Sequence, residues 1–289
     1  MGARLFVKRD DALSFGLGGN KVRKLMLETR AALDEHADTL ITCGGIQSNH
    51  CRATAAAAAR LGMHCYLVLD GEPPPHPTGN LFLDQLFGAE IVYVSSRAER
   101  RPRMDELAAE LRAKGRRPYV IPLGASTPLG ALALARAVGE LPAQGIAPDF
   151  IVVATSSGGT QAGLIAGCAL YGLPTRVIGI SADDPADTVR SKVAGILTGL
   201  ESLLELEPGT LQSSHLEVDD AFVGEGYGLA SAASRQAQLL AARKEALVTE
   251  HWYTAKALAG LVARAKSGAF LDNQTVVFWH TGGVPAIFV

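Results

Sequence analysis

The sequence predicts an α/β protein of two domains, each a mostly parallel sheet flanked by helices. Three observations carry that prediction. Short β-branched runs alternate with longer helical patterns along all 289 residues. Most of these runs are dense in Val, Ile and Leu without strict alternation, as in strands covered on both faces. Glycines stand where several helical patterns stop, the expected position for a helix terminator.

The predicted strands are Leu5–Lys8, Thr39–Cys43, His64–Leu69, Glu90–Val94, Tyr119–Pro122, Phe150–Ala154, Arg176–Ser181 and Thr275–Trp279. Helices are predicted over the alanine-rich Asn49–Leu61 before Gly62, over Thr78–Phe87 before Gly88, and over Arg103–Lys114 before Gly115. The strands from Thr39 to Pro122 form a regular series of β-α repeats, and a second set begins at Phe150 and recruits Thr275–Trp279. This divides the chain into a small domain, residues 25–132, and a large domain, residues 1–24 with 133–289. Sites in such sheets lie beyond the carboxyl ends of the strands. The segment EPPPHP, Glu72–Pro77, reads as a stiff exposed loop.

Bulk properties exclude several classes. The chain is 48% hydrophobic and 19% charged, with a net charge of −2, so nothing directs it to nucleic acid or to an anionic membrane. The basic runs Arg97–Arg103 and Arg112–Arg117 read as solvated helix faces. Cys43, Cys51, Cys65 and Cys168 form no C-x-x-C pair and no zinc spacing, which predicts free thiols in a reducing cytoplasm and no metal. The charged start MGARLFVKRDD is unlike a signal peptide, and the apolar run around Ala162–Leu173 is too short to span a bilayer.

Four loops follow strands and are poor in bulky side chains. FGLGGNKVRKL, Phe15–Leu25, delivers Lys21 from a glycine-rich turn. It fails as a P-loop, because Lys21 lies between Asn20 and Val22, and as a dinucleotide fingerprint, because the third glycine would fall on Lys21. GGIQSNH, Gly44–His50, puts Ser48, Asn49 and His50 at a helix start, where Ser48 reads first as an N-cap. ATSSGGTQAG, Ala154–Gly163, sets Ser157, Gly158, Gly159 and Thr160 before a helix starting around Gln161. Small residues, hydroxyls and a helix N-terminus together describe an anion cradle, though alone they read equally as a cap. HTGG, His280–Gly283, carries no chemistry by itself. In combination, a phosphate cradle without a nucleotide lysine and a separate lysine on a glycine turn point to a phosphorylated aldehyde. Pyridoxal 5'-phosphate needs an amine for its Schiff base, an anion site and a partner for its ring nitrogen.

GGNKVRKL, GGIQSNH, SSGGTQAG and WHTGG, in this order, resemble the D-cysteine desulfhydrase and 1-aminocyclopropane-1-carboxylate deaminase family. These are fold-type II pyridoxal-phosphate enzymes related to tryptophan synthase β-chains, and the resemblance runs from about Arg4 to the end of the chain. It implies that Lys21 carries the cofactor and later shuttles protons at the substrate α-carbon. It implies that Asn49 bonds the ring hydroxyl, that Ser48 contacts substrate with His50 beside it, and that Ser157 to Thr160 hold the phosphate. Tyr227, in GEGYG, and Tyr253, in HWYTAKALAGL, match the family's active-site tyrosines; each reads without the resemblance as an amphipathic core residue.

Two positions bear on the branch. Where the cyclopropane deaminases carry glutamate after the second tyrosine and HLGG at the end, this chain has Thr254 and Thr281. A hydroxyl offers the ring nitrogen a hydrogen bond without a counter-charge, a weaker electron sink that suits expulsion of a good leaving group. His50 matches the desulfhydrase pattern. The resemblance therefore implies a lyase that eliminates from the β-carbon of a small amino acid, D-cysteine first, acting as a cytoplasmic homodimer. Cyclopropane-carboxylate deamination and cysteate desulfonation are the alternatives within the class. The departure in TEHW, Thr249–Trp252, before Tyr253 leaves room for an inactive cofactor-binding protein with a regulatory or partner role.

Overall fold

The computed structural model describes residues 2–211 and 216–289. In chain order the elements begin with β1 (Arg4–Arg9), α1 (Asn20–Asp34), β2 (Thr39–Gly45), α2 (Asn49–Leu61), β3 (His64–Asp70), α3 (Gly79–Leu86), β4 (Glu90–Val94), α4 (Arg100–Ala113) and β5 (Pro118–Val120). They continue with α5 (Pro128–Val138), α6 (Glu140–Ala143), β6 (Phe150–Thr155), α7 (Gly159–Leu170), β7 (Arg176–Ser181), α8 (Ala186–Leu203), β8 (Glu217–Asp219), α9 (Ala232–Glu245), α10 (Thr254–Lys266) and β9 (Thr275–His280).

The chain divides into two compact units. The first comprises Met1–Leu13 and Ser126–Val284, and the second Ser14–Ala125 with Pro285–Val289. The sequence suggested divisions at Lys24 and Ala133. The contacts instead assign all of α1, and so Lys21, to the second unit, because α1 packs on α2 and on the turn Leu123–Ala125.

The second unit is built on a sheet of order β4-β3-β2-β5, with every pairing parallel. One face is covered by Leu25, Ala32, Ala53, Ala57 and Leu81 of α1, α2 and α3. The other is covered by Met104, Leu107 and Leu111 of α4. Burying each large apolar side chain in this way contributes roughly 1.5–3 kcal/mol. The alanine run of α2 lets that helix lie close to the sheet, and Gly62 ends it in the left-handed conformation, φ 65°.

The first unit has a sheet of order β1-β9-β6-β7-β8, again parallel throughout. The strands β6 and β9 are buried along their whole length, which explains their unbroken apolar runs. Strand β8 escaped the sequence reading because three residues, Glu-Val-Asp, carry no period. Helices α5, α7 and α8 pack together, while α9 and α10 pack on one another and α10 lies along β6 and β7. At Gly163 α7 packs directly on α5: a Cβ there would stand 2.3 Å from the Ala131 carbonyl oxygen. That approach fixes α7, and with it the loop at its N-terminus. All four cysteines are buried free thiols.

Candidate active site

The lysine-bearing group lies in the second unit. Gly16, Leu17, Gly18 and Gly19 have φ values of 52°, 63°, 71° and 98°, a run of positive φ that only glycine adopts freely. Leu17 bears a cost of about 1–2 kcal/mol for it. The turn ends directly on α1, with Asn20 and Lys21 in its first turn. Lys21 is half-buried, and its Nζ donates to the Gly124 carbonyl at 3.2 Å. Lys24, one turn on and fully buried, donates to the same carbonyl at 3.2 Å. Burial brings the Lys21 amine down to about 8, against the opposing influence of the Cys51 thiol and a hydrogen bond with Lys24. Burial first and the neighbouring Lys21 charge second push Lys24 well below its ordinary range, with Glu28 opposing.

Strand β2 and helix α2 deliver the second cluster. Ser48 is the N-cap of α2, its Oγ accepting the Cys51 amide at 3.2 Å. Asn49 opens the helix half-buried, and its Oδ1 accepts from Asn80 Nδ2 at 2.9 Å. His50 is 2% exposed, with Nε2 2.8 Å from Thr42 Oγ1. Burial and the charges of Lys21 and Lys24 hold it well below the usual histidine range, so it is neutral.

The first unit carries the remaining residues. Neighbouring strands β6 and β9 place Ser156–Thr160 and Thr281–Gly283 at carboxyl ends on the same edge of the sheet. Gly158 is the left-handed residue before α7, which starts at Gly159, two residues earlier than expected. The Ser157 hydroxyl lies 2.7 Å from that of Ser126, whose Oγ accepts the Gly159 amide at 3.3 Å. The first turn of any helix leaves amides without intrahelical acceptors, and with these hydroxyls the loop suits an anion. His280 belongs to β9 rather than to the loop. Its Nε2 donates to the Val248 carbonyl at 2.7 Å, and its Nδ1 accepts the Gly282 amide at 3.2 Å. The buried imidazole thus fixes the loop on which Thr281 sits, itself 9% exposed.

Tyr227 and Tyr253 meet: their hydroxyls are 2.6 Å apart and the rings pack edge to face. Burial, with Tyr253 beside it, holds the Tyr227 phenol well above its ordinary range, so it keeps its proton. Glu250 and Lys256, which the sequence did not single out, support this pair together with Thr254, which it offered to the ring nitrogen. Glu250 accepts the amides of Trp252, Tyr253 and Thr254, and burial raises its carboxyl to about 7 against those bonds. Thr254 donates to Glu250 Oε1 and accepts the Glu250 amide, so its hydroxyl is committed to this cap. Lys256 gives its three ammonium protons to the carbonyls of Ala182, Val223 and Gly226, tying down the loop that carries Tyr227. Each charged residue stands three places from Tyr253, and nothing in the sequence tells that its partners are mainly backbone atoms.

The residue types fit pyridoxal phosphate: an amine of lowered pKa on a neutral carbonyl, a hydroxyl-lined helix start, and a buried threonine. The family described as pyridoxal-phosphate-dependent enzymes matches residues 1–282. This chain belongs to that family. It is 38% identical over 296 aligned positions to a D-cysteine desulfhydrase of Yersinia pestis (strain Pestoides F), covering all of this chain and 89% of the relative. A D-cysteine desulfhydrase of Klebsiella pneumoniae is 36% identical with the same coverage. Among solved structures, an ACC deaminase homologue superposes with a TM-score of 0.92 at 35% identity, over 99% of this chain and 86% of its own. A threonine deaminase from T.th. has a TM-score of 0.72 at 22% identity, over 98% of this chain and 88% of its own, and shares the fold. As a member of this family the chain is a pyridoxal-phosphate-dependent enzyme with the α/β architecture expected of it. Among the described residues no helix is long and apolar enough to cross a membrane.

Proposed function

We propose that this family member is a β-eliminating lyase converting D-cysteine and water to pyruvate, ammonia and hydrogen sulfide. The observation that carries the reading is the full-length likeness to D-cysteine desulfhydrases. Bound pyridoxal phosphate supplies the electron sink for the pair released at the substrate α-carbon.

The rest of the work falls to residues of this chain. Lys21 would hold the cofactor through its amine, and its Nζ would take the α-proton of the substrate. With its pKa at about 8 the amine is roughly one-tenth unprotonated at pH 7, against about one part in three thousand for an ordinary lysine. Asn49 bonds the ring oxygen, Ser48 orients the substrate, and neutral His50 backs the turn that presents them. Ser157, Gly158, Gly159 and Thr160 hold the phosphate, and Thr281 serves the ring nitrogen without a counter-charge. As the carbon–sulfur bond breaks, its electron pair stays on sulfur, and Tyr227, which keeps its proton, donates it there with Tyr253 hydrogen-bonded behind. The protein acts on this reading as a homodimer, with a sedimentation mass of twice 30.3 kDa.

The likeness to an ACC deaminase homologue supports a second reading, deamination of 1-aminocyclopropane-1-carboxylate. A panel of D-cysteine, L-cysteine, cysteate and the cyclopropane substrate separates the two. Equal amounts of sulfide and pyruvate from D-cysteine are expected; 2-oxobutanoate as the dominant product would replace the first reading with the second, and sulfite would reassign the leaving group.

A further inference from the structure

We infer that Arg52 is the positioning residue that sets both the lysine turn and the polarity of the Asn49 amide, a role resting on the function proposed above. The guanidinium is fully buried in the first turns of α2, within one helical turn of Asn49. Its donors go to neutral oxygens. Nη1 donates to the Gly16 carbonyl, Nη2 to the Gly18 carbonyl at 3.0 Å, and Nε to Asn80 Oδ1 at 2.8 Å.

Two of these acceptors belong to the left-handed run that precedes Lys21. Strained backbone of this kind persists only where its surroundings over-determine it. A planar fork with fixed donor directions is suited to grip two carbonyls of one turn at once. The carboxyl that influences the arginine, Asp84, accepts no hydrogen bond at either oxygen from the described residues. Arg52 is therefore bonded to the turn rather than held as half of an ion pair.

The third acceptor links Arg52 to Asn49. Arginine is a donor only, so the Asn80 atom facing Nε must be its oxygen. The Asn80 nitrogen then faces the other way, donating to the Gln47 carbonyl at 3.0 Å and to Asn49 Oδ1 at 2.9 Å. The Asn80 backbone is pinned as well, its amide donating to Gln47 Oε1 at 2.8 Å. With its oxygen taken, Asn49 has its NH₂ to offer, the group that suits an oxygen anion on the cofactor ring. One arginine thus fixes where Lys21 begins its helix and which end of Asn49 is presented.

The test uses Asn80→Asp, Arg52→Met and Arg52→Lys beside wild type. It reads the pyridoxal-phosphate dissociation constant by dialysis and the pH midpoint of the long-wavelength absorbance of cofactor bound at Lys21. Asn80→Asp keeps an oxygen for Arg52 but has no donor for Asn49, so the Asn49 amide turns over. The expected result is a midpoint shifted by about one pH unit with cofactor binding roughly tenfold weaker. Arg52→Met is expected to weaken binding about ten- to a hundredfold. Arg52→Lys keeps the charge without the fork and is expected to restore little of it. Unchanged dissociation constant and midpoint in Asn80→Asp, or full rescue by Arg52→Lys, would overturn the inference. If Arg52→Met does not fold, Asn80→Asp decides. Failure of wild type itself to bind cofactor at Lys21 would instead overturn the function proposed above.

Discussion

Lys21 is acidified because its amine leaves water without gaining a carboxylate: its Nζ donates to the neutral carbonyl of Gly124. The sign follows from that. A lysine whose folded pKa lies below its unfolded value penalises the fold while it is protonated in both states. The penalty is full below about pH 8 and is relieved as pH rises from about 8 towards the ordinary value of 10.5. The same shift governs reactivity. The rate at which apoprotein captures pyridoxal phosphate should climb with pH and level off above about 8; a continued climb towards 10.5 in stopped-flow absorbance would contradict the assignment. Tyr227→Phe should lower kcat on D-cysteine by roughly a hundredfold or more while leaving cofactor binding near wild type, since it removes one proton donor. Steady-state kinetics with an absorbance spectrum checks both halves. The glycine turn announced Lys21 because positive φ and a following helix leave a mark in sequence. Arg52 left none that could be read: two of its partners are backbone carbonyls 36 and 34 residues away, which every residue has, and the third is the side chain of Asn80.

At the scale of elements, the site depends on how closely helices approach. A side chain at Gly163 meets the Ala131 carbonyl and, at 2.5 Å, the Leu134 Cβ, neither of which can swing away. Gly163→Val should therefore cost about 1–3 kcal/mol by overpacking and lower Tm by roughly 2–4 °C for each kcal/mol. It should also weaken phosphate binding, because α7 carries the Ser157–Thr160 loop. Thermal unfolding with and without cofactor measures both, and a wild-type Tm would contradict the packing argument. Glu250→Ala removes the acceptor of three successive amides at the start of α10 and should cost about 1–2 kcal/mol while displacing Tyr253. Most strands were legible because both faces are buried and the apolar runs are unbroken. Helix α7 starts two residues before the point its sequence suggests, because Gly159 and Thr160 look like loop residues while Gly158 alone takes the left-handed turn that ends the approach.

At the scale of the whole molecule, the architecture was legible and its partition less so. Two parallel sheets follow from the β-α alternation, but assigning α1 needed contacts with α2 and with the Leu123–Ala125 turn, which no local pattern announces. The chemistry was legible through combination: a lysine turn, a serine-asparagine helix start and a hydroxyl loop mean little singly. What the sequence left silent is the scaffolding behind them, Arg52 with Asn80 in one unit and Glu250 with Lys256 in the other. The central claim is that Lys21 bears the cofactor, and a second lysine makes it sharply testable. Lys24 shares the Gly124 carbonyl but is fully buried, whereas Lys21 is half-buried. Borohydride reduction of the protein with pyridoxal phosphate, followed by peptide mass mapping, should place the reduced adduct on Lys21 and abolish it in Lys21→Ala. An adduct on Lys24, or one that persists in Lys21→Ala, would contradict the account.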